Sequence, residues 1–279
     1  MEVVTCGPHP ALLPFVELYR LRVVDAQPVS HLVFPSRNSQ FIEFYLADPA
    51  QVKVDPESEF RAAPETVLVG TQSKGRVELL VGGSVRTLTV IFRPTGFHQL
   101  FGVPMTELAG KGECANSVLG AEIALIRERL VEAPSTSAMK ALLENWLIHR
   151  LNSLSAKPND CYQAIEHSIA RMKVQRDFSS VDALAEHSGY GLRHFERVFK
   201  LAIGVSPKHY LRVERLQEAL STKSLQPDTP WGVIASDLGF YDQMHLVHEF
   251  KALGGAAPSR LFEEVAPRLA DLKKSNIYY

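Results

Sequence analysis

About the first 95 residues of the chain show short apolar or alternating runs separated by proline and glycine. This pattern is typical of β-strands joined by turns. The clearest runs are Phe15 to Asp25, Phe41 to Leu46 and Thr66 to Gly70. Two further runs, Val77 to Val81 and Val85 to Phe92, flank Gly82-Gly83-Ser84, which predicts a hairpin turn. Several short strands with turns between them predict a small β-sandwich or barrel.

A helical pattern replaces the strand pattern after Pro94. From Leu119 to Leu130 apolar residues recur at helical spacing, and a second helix is predicted from about Ser137 to Ser153. Both helices are amphipathic, which fits three arrangements: cover for the open face of the strands, ordinary core packing, or pairing with a second subunit. A dimer seam on these helices would include Ile126 and Leu147, and charged residues there would then lower the mass in solution.

A domain boundary is predicted at Ser153 to Asn159, which is small, polar and contains a proline. From Asp160 to about Val265 the pattern is helix and turn. The sequence therefore predicts an α+β protein, with a β-rich domain at residues 1–155 and an all-α domain at residues 160–266.

The strongest pattern is an internal repeat with a period of about 50 residues. One inserted residue separates its earlier from its later matches. The first copy has Leu184-Ala185, Gly189-Tyr190, His194, Phe195, Phe199-Lys200, Gly204 and Pro207. The second copy has Ile234-Ala235, Gly239-Phe240, His245, Leu246, Phe250-Lys251, Gly255 and Pro258 in the same order.

Each copy has the order of elements of a helix-turn-helix unit. In the first copy, a helix from Val181 to His187 ends at Gly189, where a residue without Cβ takes the left-handed turn at no steric cost. The next helix is predicted from Leu192 to Leu201. In the second copy, Gly239 lies at the turn and Asp242 is placed to cap the next helix.

The second helix of each unit is predicted to be apolar on one side and polar on the other. The outward residues are Arg193, His194, Glu196, Arg197 and Lys200 in the first copy, and Gln243, His245, His248 and Lys251 in the second. Such a helix suits the major groove of DNA. A stiff helix from Ser206 to about Ser221 joins the copies and would hold them about 34 Å apart, one turn of DNA.

The charge of the chain does not favour binding to nucleic acid by electrostatics alone. The formal net charge is −1 and the pI is about 6.8. From Asp160 to Glu264 there are 12 Lys or Arg residues and 14 Asp or Glu residues. Glu196 and Glu249 even lie on the predicted recognition helices. We therefore expect weak, salt-sensitive non-specific binding, with specificity from a few placed contacts.

The three cysteines, Cys6, Cys114 and Cys161, are far apart and include no CxxC pair. They predict free thiols in a reducing compartment. The N-terminal sequence lacks the features of a secretory signal, and no window has the roughly 20 apolar residues of a membrane helix. These observations predict a cytoplasmic protein.

The stretch from about Asp182 to Phe262 resembles the DNA-binding domain of the AraC/XylS family of bacterial transcription regulators. It carries LA…GY…HFERVFK, then GVSPKHYLRVERLQEAL, then IASDLGFYDQMHLVHEFK, and it ends in GGAAP. The resemblance covers a little under a third of the chain. It implies that the second helix of each unit enters the major groove. The positions that match the contacts of the family are Leu192, Arg193, His194, Arg197, Lys200, Gln243, Met244, His245, His248 and Lys251.

The sequence departs from the family pattern in the second unit. His248 stands where an arginine is common, and Leu246 stands where an aromatic residue is usual. With Glu249 and the missing positive charge, these departures weaken the expected grip of the second unit on DNA more than its fold.

The N-terminal part resembles the cupin-like sensor region of a subgroup of these regulators, most clearly in IFRPTGFHQLFGVP, Ile91 to Pro104. Enzymatic cupins bind metal through a His-x-His and a later glutamate, and that motif is absent. Since His9, His31 and His98 are isolated in the sequence, we expect no metal and no other cofactor.

Two other classes of function remain as alternatives. An enzyme would use the N-terminal domain as a substrate pocket, with Glu43, Tyr45, Arg93 and His98 as polar groups. The sequence has no Gly-rich phosphate loop, nucleophile elbow or metal cluster, so we expect no catalysis. A partner-binding adaptor, with a degenerate DNA-binding domain, is suggested by the acidic balance after Asp160.

The sequence thus predicts a DNA-binding transcription regulator whose N-terminal domain binds a small molecule and changes how the helical units are presented. The expected partners are double-stranded DNA, an unidentified effector, RNA polymerase and a second copy of the chain in a homodimer. No interaction with a membrane is expected.

Overall fold

The structure is a computed structural model that describes residues 2–54, 57–73, 75–154 and 160–274. Residues 2–154 are called the N-terminal part below, and residues 160–274 the C-terminal part. An antiparallel sheet dominates the N-terminal part and helices form the C-terminal part, so the predicted α+β class is confirmed.

The sheet contains eight strands in the order β1-β2-β7-β3-β6-β8, and β4 pairs with both β5 and β7. The strands are β1 (Glu2–Cys6), β2 (Val16–Pro35), β3 (Gln40–Tyr45), β4 (Gln51–Lys53), β5 (Arg61–Ala62), β6 (Thr66–Val69), β7 (Arg76–Phe92) and β8 (Gly112–Cys114). The runs predicted at Phe41 to Leu46 and Thr66 to Gly70 are confirmed as β3 and β6.

The hairpin predicted at Gly82-Gly83-Ser84 is wrong. These residues lie within β7, which is a single strand of 17 residues. β2 is long enough to pair with β7 on both sides of the glycines, so a reversal there would lose half of that ladder. The register shifts between Ala26 and Ser30, and Gly83 has a positive φ of 72° opposite this irregularity. The glycines therefore allow a bend where the sequence pattern predicted a turn.

Eleven α-helices are described. They are α1 (Gly96–Phe101), α2 (Ala115–Leu119), α3 (Glu122–Glu132), α4 (Thr136–Asn152), α5 (Asp160–Gln175), α6 (Val181–Ser188), α7 (Leu192–Ile203), α8 (Pro207–Leu225), α9 (Trp231–Asp237), α10 (Gln243–Gly254) and α11 (Pro258–Lys274). The helix predicted from Leu119 to Leu130 is divided between α2 and α3, because Gly120 takes a positive φ of 83°. The helix predicted from Ser137 to Ser153 is confirmed as α4.

One face of the sheet packs against α1, α3 and α4 in a continuous apolar core. Ile126 of α3 and Leu147 of α4 belong to this core, with exposed fractions of 7% and 0%. The predicted dimer seam that includes Ile126 and Leu147 is therefore wrong, because both side chains pack within the chain. The alternative of ordinary core packing, with helices covering the strands, accounts for both helices.

The C-terminal part has a core of its own, which runs from Cys161 to Val265 and also includes Val33 of β2. The two helical units thus share one apolar core, and the sheet contributes to its edge. Most of the boundary predicted at Ser153 to Asn159 lies outside the described residues. No helix in the described part of the chain combines the length and the apolar character needed to cross a membrane.

Candidate functional site

The first helix-turn-helix unit consists of α6 and α7. The Ser180 side chain accepts a hydrogen bond from the Ala183 amide and begins α6. Gly189 ends that helix with a φ of 73°, as predicted for the left-handed turn. Phe195 and Phe199 are fully buried on the inner side of α7. Local sequence features therefore account for both helices of this unit.

The second unit consists of α9 and α10 and repeats this arrangement. Gly239 has a φ of 69° at the turn. Asp242 Oδ1 accepts a hydrogen bond of 2.7 Å from the His245 amide, so the predicted cap of α10 is confirmed. Leu246 and Phe250 are fully buried on the inner side of the helix. The repeat in the sequence is therefore a repeat in the structure.

The residues predicted to contact DNA lie on the outward sides of α7 and α10. His245 is half-buried, the other nine are exposed, and the N-terminal part does not cover them. They are Leu192, Arg193, His194, Arg197 and Lys200 on α7, and Gln243, Met244, His245, His248 and Lys251 on α10. The two helices thus present two polar faces, and contact with DNA remains a prediction.

Two of these residues, His194 and His245, also have partners within the chain. The His194 ring stacks on Tyr190, with 5.3 Å between the ring centres, and its Nε2 lies 3.7 Å from the Cys161 sulfur. His245 Nδ1 accepts a hydrogen bond from the Tyr241 amide at 3.2 Å. Each histidine therefore helps to hold its own helix-turn-helix unit together.

Tyr241 is a surface residue that was not among those predicted from the sequence. Its exposed fraction is 92%, the highest among the large apolar side chains that the structure leaves exposed, and it directly precedes the α10 cap. Met244, one turn away, is 61% exposed. The signal in the sequence was the Phe240-Tyr241 pair, where the first copy has Tyr190-Gly191.

The negative charge of Glu249 is not presented on the outward face of α10. Arg212 of α8 donates to both of its carboxylate oxygens, with distances of 2.8 Å and 3.0 Å. This two-point ion pair neutralises Glu249 and fixes α10 against α8. The charge of Glu249 is thus balanced by Arg212, whereas Glu196 is exposed on α7 as predicted. The expected weaker grip of the second unit on DNA stays a prediction.

Other acidic residues of the C-terminal part are directed inward or to neighbouring side chains. Glu214 lies 3.2 Å from Lys173 Nζ, and Glu264 accepts a 2.8 Å hydrogen bond from Arg76. Glu166 accepts hydrogen bonds of 2.7 Å from the amide and hydroxyl of Thr95. Burial raises the pKa of Glu166, and these hydrogen bonds oppose the shift. The excess of acidic residues in the C-terminal part therefore does not lie on the outward faces of α7 and α10.

The linker helix α8 connects the two units through Arg215. One nitrogen of its guanidinium donates to the Phe178 carbonyl at 2.5 Å, and another to the Gly239 carbonyl at 3.4 Å. The guanidinium also lies 5.2 Å from the centre of the Phe240 ring. One side chain thus links the segment before α6 to the turn of the second unit.

Replacing Arg215 with methionine is expected to lower the free energy of unfolding by about 1–3 kcal/mol, because two carbonyls lose a charged donor while the side-chain length is kept. Urea unfolding followed by the fluorescence of Trp146 and Trp231 measures this. Arg193→Met is the matched control at an exposed position, with an expected change within about 0.5 kcal/mol. Equal losses in the two variants would contradict the role of Arg215.

The C-terminal ends of both recognition helices dock on the N-terminal part. Residues 36–40 (the 36–40 segment), which join β2 to β3 and include the first residue of β3, make most of the polar contacts. Gln40 donates to the Ile203 carbonyl at the end of α7 at 3.3 Å, and the Ser36 amide donates to the Leu253 carbonyl near the end of α10 at 2.9 Å. Carbonyls at helix ends need such external donors.

Further contacts surround this docking site. Asn38 of the segment donates to the Tyr210 carbonyl of α8, and Thr71 donates to the Ile203 carbonyl at 2.8 Å. None of these residues was predicted from the sequence, because polar residues between strands carry no local sign of a distant partner.

A cavity of about 320 Å³ lies on the face of the sheet opposite α1, α3 and α4. Glu43 and Tyr45 of β3 line it, and burial together with the Glu43 charge raises the pKa of the Tyr45 hydroxyl. Arg93 and His98 do not line it: Arg93 donates to the Leu13 carbonyl, and His98 contacts Tyr162 Oη at 3.0 Å. The four polar groups considered for an enzyme are therefore not brought together.

The described residues contain no group of three or more His, Cys, Asp or Glu side chains placed to hold a metal ion. The expected absence of a metal and of catalysis remains a prediction.

Comparison with protein families finds two matches that together cover most of the chain. Residues 184–264 match a family described as a helix-turn-helix domain, and residues 4–112 match a domain of unknown function (DUF6597). The first match spans both units from α6 to α11.

Among curated proteins, the chain is similar to the HTH-type transcriptional activator AarP of Providencia stuartii. The two are 37% identical over 83 residues, which are 29% of this chain and 58% of that protein. The chain thus spans less than two thirds of the length of this relative.

Among solved structures, the chain is similar to ToxT from Vibrio cholerae, with a TM-score of 0.46 and 10% identity over 88% of this chain and 98% of that chain. It is also similar to the AraC-like transcriptional activator CuxR, with a TM-score of 0.24 and 12% identity over 99% of this chain and 88% of that chain. TM-scores this low do not establish a shared fold, so the assignment rests on the family match and the repeat. Residues 184–264 therefore form a helix-turn-helix domain, in agreement with the resemblance of this stretch to the DNA-binding domain of the AraC/XylS family.

Proposed function

We propose that this chain is a sequence-specific DNA-binding transcription regulator that responds to a small-molecule effector. The observation that carries the proposal is the pair of helix-turn-helix units, each with an exposed polar face on its second helix. The ten outward residues of α7 and α10 are the proposed contacts with double-stranded DNA, and Tyr241 is added to them because it is exposed beside α10.

The proposed domains are a sensor domain at residues 1–155, cupin-like as the resemblance implies, and a DNA-binding domain at residues 160–266. The cavity in the sheet supports a sensor role. The docking of both recognition helices on the N-terminal part supports a route from that cavity to DNA. RNA polymerase and a second copy of the chain are further proposed partners. A regulator of bacterial genes acts where the DNA is, so we propose a cytoplasmic location.

Selection of random duplex DNA by the full chain tests this proposal. We expect a motif with two blocks about one turn, ~34 Å, apart. Arg193→Ala should relax one block and Lys251→Ala the other, each with a loss of about 1–3 kcal/mol in binding free energy. Arg129→Ala, at an exposed position of α3, is the control and should leave the motif unchanged.

A different result would favour the adaptor. If selection returns no motif over a range of salt concentrations, while a pull-down returns a stable protein partner, the helix-turn-helix units do not read DNA. The regulator assignment would then be wrong for this chain.

A further inference from the structure

The cavity in the sheet has the size and lining of a small-molecule site. Its volume of about 320 Å³ falls within the range of roughly 300–1,000 Å³ that ligand pockets occupy. The apolar wall is built from several strands and includes Phe34, Phe41, Val52, Val67, Val69 and Val77. A ligand with an apolar body therefore fits this space.

Arg37 supplies a positively charged group to the cavity wall. Its guanidinium lies 4.9 Å from the centre of the Phe34 ring and 4.8 Å from the centre of the Phe41 ring. Packing against two rings orients the guanidinium plane, and the N–H donors of the group lie in that plane. A planar guanidinium held in this way suits an acid group, which accepts two parallel hydrogen bonds.

The charges around the cavity also favour an anion. The lining contains three cationic side chains, Arg37, Arg61 and Lys111, and two carboxylates, Glu43 and Glu113. Glu113 lies 4.0 Å from Lys111. Glu43 accepts a hydrogen bond from Thr89 and lies 3.9 Å from Arg22. Both carboxylates thus have cationic or hydroxyl neighbours, so their repulsion of a bound anion is reduced.

We propose that this cavity binds a small molecule with an apolar body and one anionic acid group, and that Arg37 receives the acid group. The proposal names the class of effector for the sensor described above, and its consequence for DNA binding rests on the proposed function.

Arg37 also connects the cavity to the recognition helices. It lies in the 36–40 segment, whose Ser36 and Gln40 bond the ends of α10 and α7. Gln72 also lines the cavity, and its backbone N–H donates to the Arg37 carbonyl at 3.0 Å. A ligand that moves Arg37 therefore acts on the segment that holds both helices. The ligand changes the free energy of DNA binding by no more than the difference between its binding free energies for the two arrangements of this segment.

A matched pair of fluorescent dyes tests the site. The probe is 1-anilinonaphthalene-8-sulfonate, and the control is N-phenyl-1-naphthylamine, which has the same aromatic body without the acid group. We expect the full chain to bind the anionic dye saturably at one site, about tenfold or more tightly than the neutral dye. Arg37→Met should remove this difference, whereas Arg129→Met should preserve it.

A cavity-filling variant locates the dye. Val69→Phe should abolish binding of both dyes, and Val77→Phe is the second variant if the first does not fold by circular dichroism. The proposal is overturned if the anionic dye does not bind saturably, if Arg37→Met binds it as the parent does, or if the folded, filled variant retains it.

Affinity for the selected DNA motif, measured with and without saturating anionic dye, separates this inference from the proposed function. We expect a change of about fivefold or more in the parent and none in Arg37→Met. Dye binding through Arg37 with unchanged DNA affinity would overturn the connection through the 36–40 segment. Absence of any motif, with dye binding intact, would overturn the proposed function and leave the ligand site in place.

Discussion

Replacing Gly204 with alanine is expected to release the end of α7 from the N-terminal part and to lower the free energy of unfolding by at least about 2 kcal/mol. Gly204 ends α7 with a φ of 96°, a conformation that costs other residues about 1–2 kcal/mol. A Cβ at this position would also lie 2.6 Å from the Met105 carbonyl oxygen. Since this oxygen belongs to the backbone, either the end of α7 or the segment that contains Met105 has to move.

Gly189→Ala is the matched control for this prediction. Gly189 has a similar positive φ of 73°, but a Cβ there would have no neighbour within 4 Å. In Gly189→Ala, stability is therefore lowered only by the unfavourable backbone conformation. Urea unfolding gives both free energies, and hydrogen exchange of the Ser36 amide, which donates to the Leu253 carbonyl, reports undocking. Equal losses, with equal protection from exchange, would show that the Met105 contact does not hold the two parts together.

Replacing Phe250 with alanine is expected to lower the free energy of unfolding by about 3–5 kcal/mol, the typical cost of removing a buried aromatic ring. Phe250 is fully buried, and its ring packs edge-to-face on Trp231 with 5.3 Å between the ring centres. Both helical units share one core, so the loss should appear in a single transition of the whole C-terminal part.

Far-ultraviolet circular dichroism in urea is the suitable measurement, because the fluorescence of Trp231 itself responds to the loss of its neighbour. Met244→Ala, on the exposed side of the same helix, is the control and should change stability by no more than about 0.5 kcal/mol. A loss below about 1 kcal/mol for Phe250→Ala would mean that α10 is not anchored by this ring.

The two helix-turn-helix units were predictable from the sequence because local interactions specify them. Gly189 and Gly239 take the positive φ values that their turns require, and Asp242 caps α10 through an amide three residues away. Helical spacing of apolar residues predicted which sides of α7 and α10 are buried. Each of these signals lies within one or two helical turns of the residue that it determines.

The wrong predictions and the residues that were not predicted depend instead on contacts between distant parts of the chain. Gly82 and Gly83 form part of β7, and β2, more than 50 residues earlier along the chain, decides whether they bend or reverse the strand. Glu249 lies on α10, but Arg212 of α8 determines whether its charge is presented on the outward face of that helix. A sequence pattern specifies the elements and their faces, whereas it does not state which distant group an exposed polar residue meets.

By itself, the sequence determined the α+β class, the repeated helix-turn-helix units and the polar faces that they present, because these depend on periodicity, turns and caps along the chain. Only the tertiary structure decided that α3 and α4 cover the sheet, that a cavity lies on its other face, and that the 36–40 segment holds both recognition helices. Gln40 and Ile203 are 163 residues apart, and their hydrogen bond exists only once strands and helices have packed. Burial and long-range hydrogen bonding, which no local pattern encodes, therefore connect the proposed sensor to the proposed DNA-binding faces.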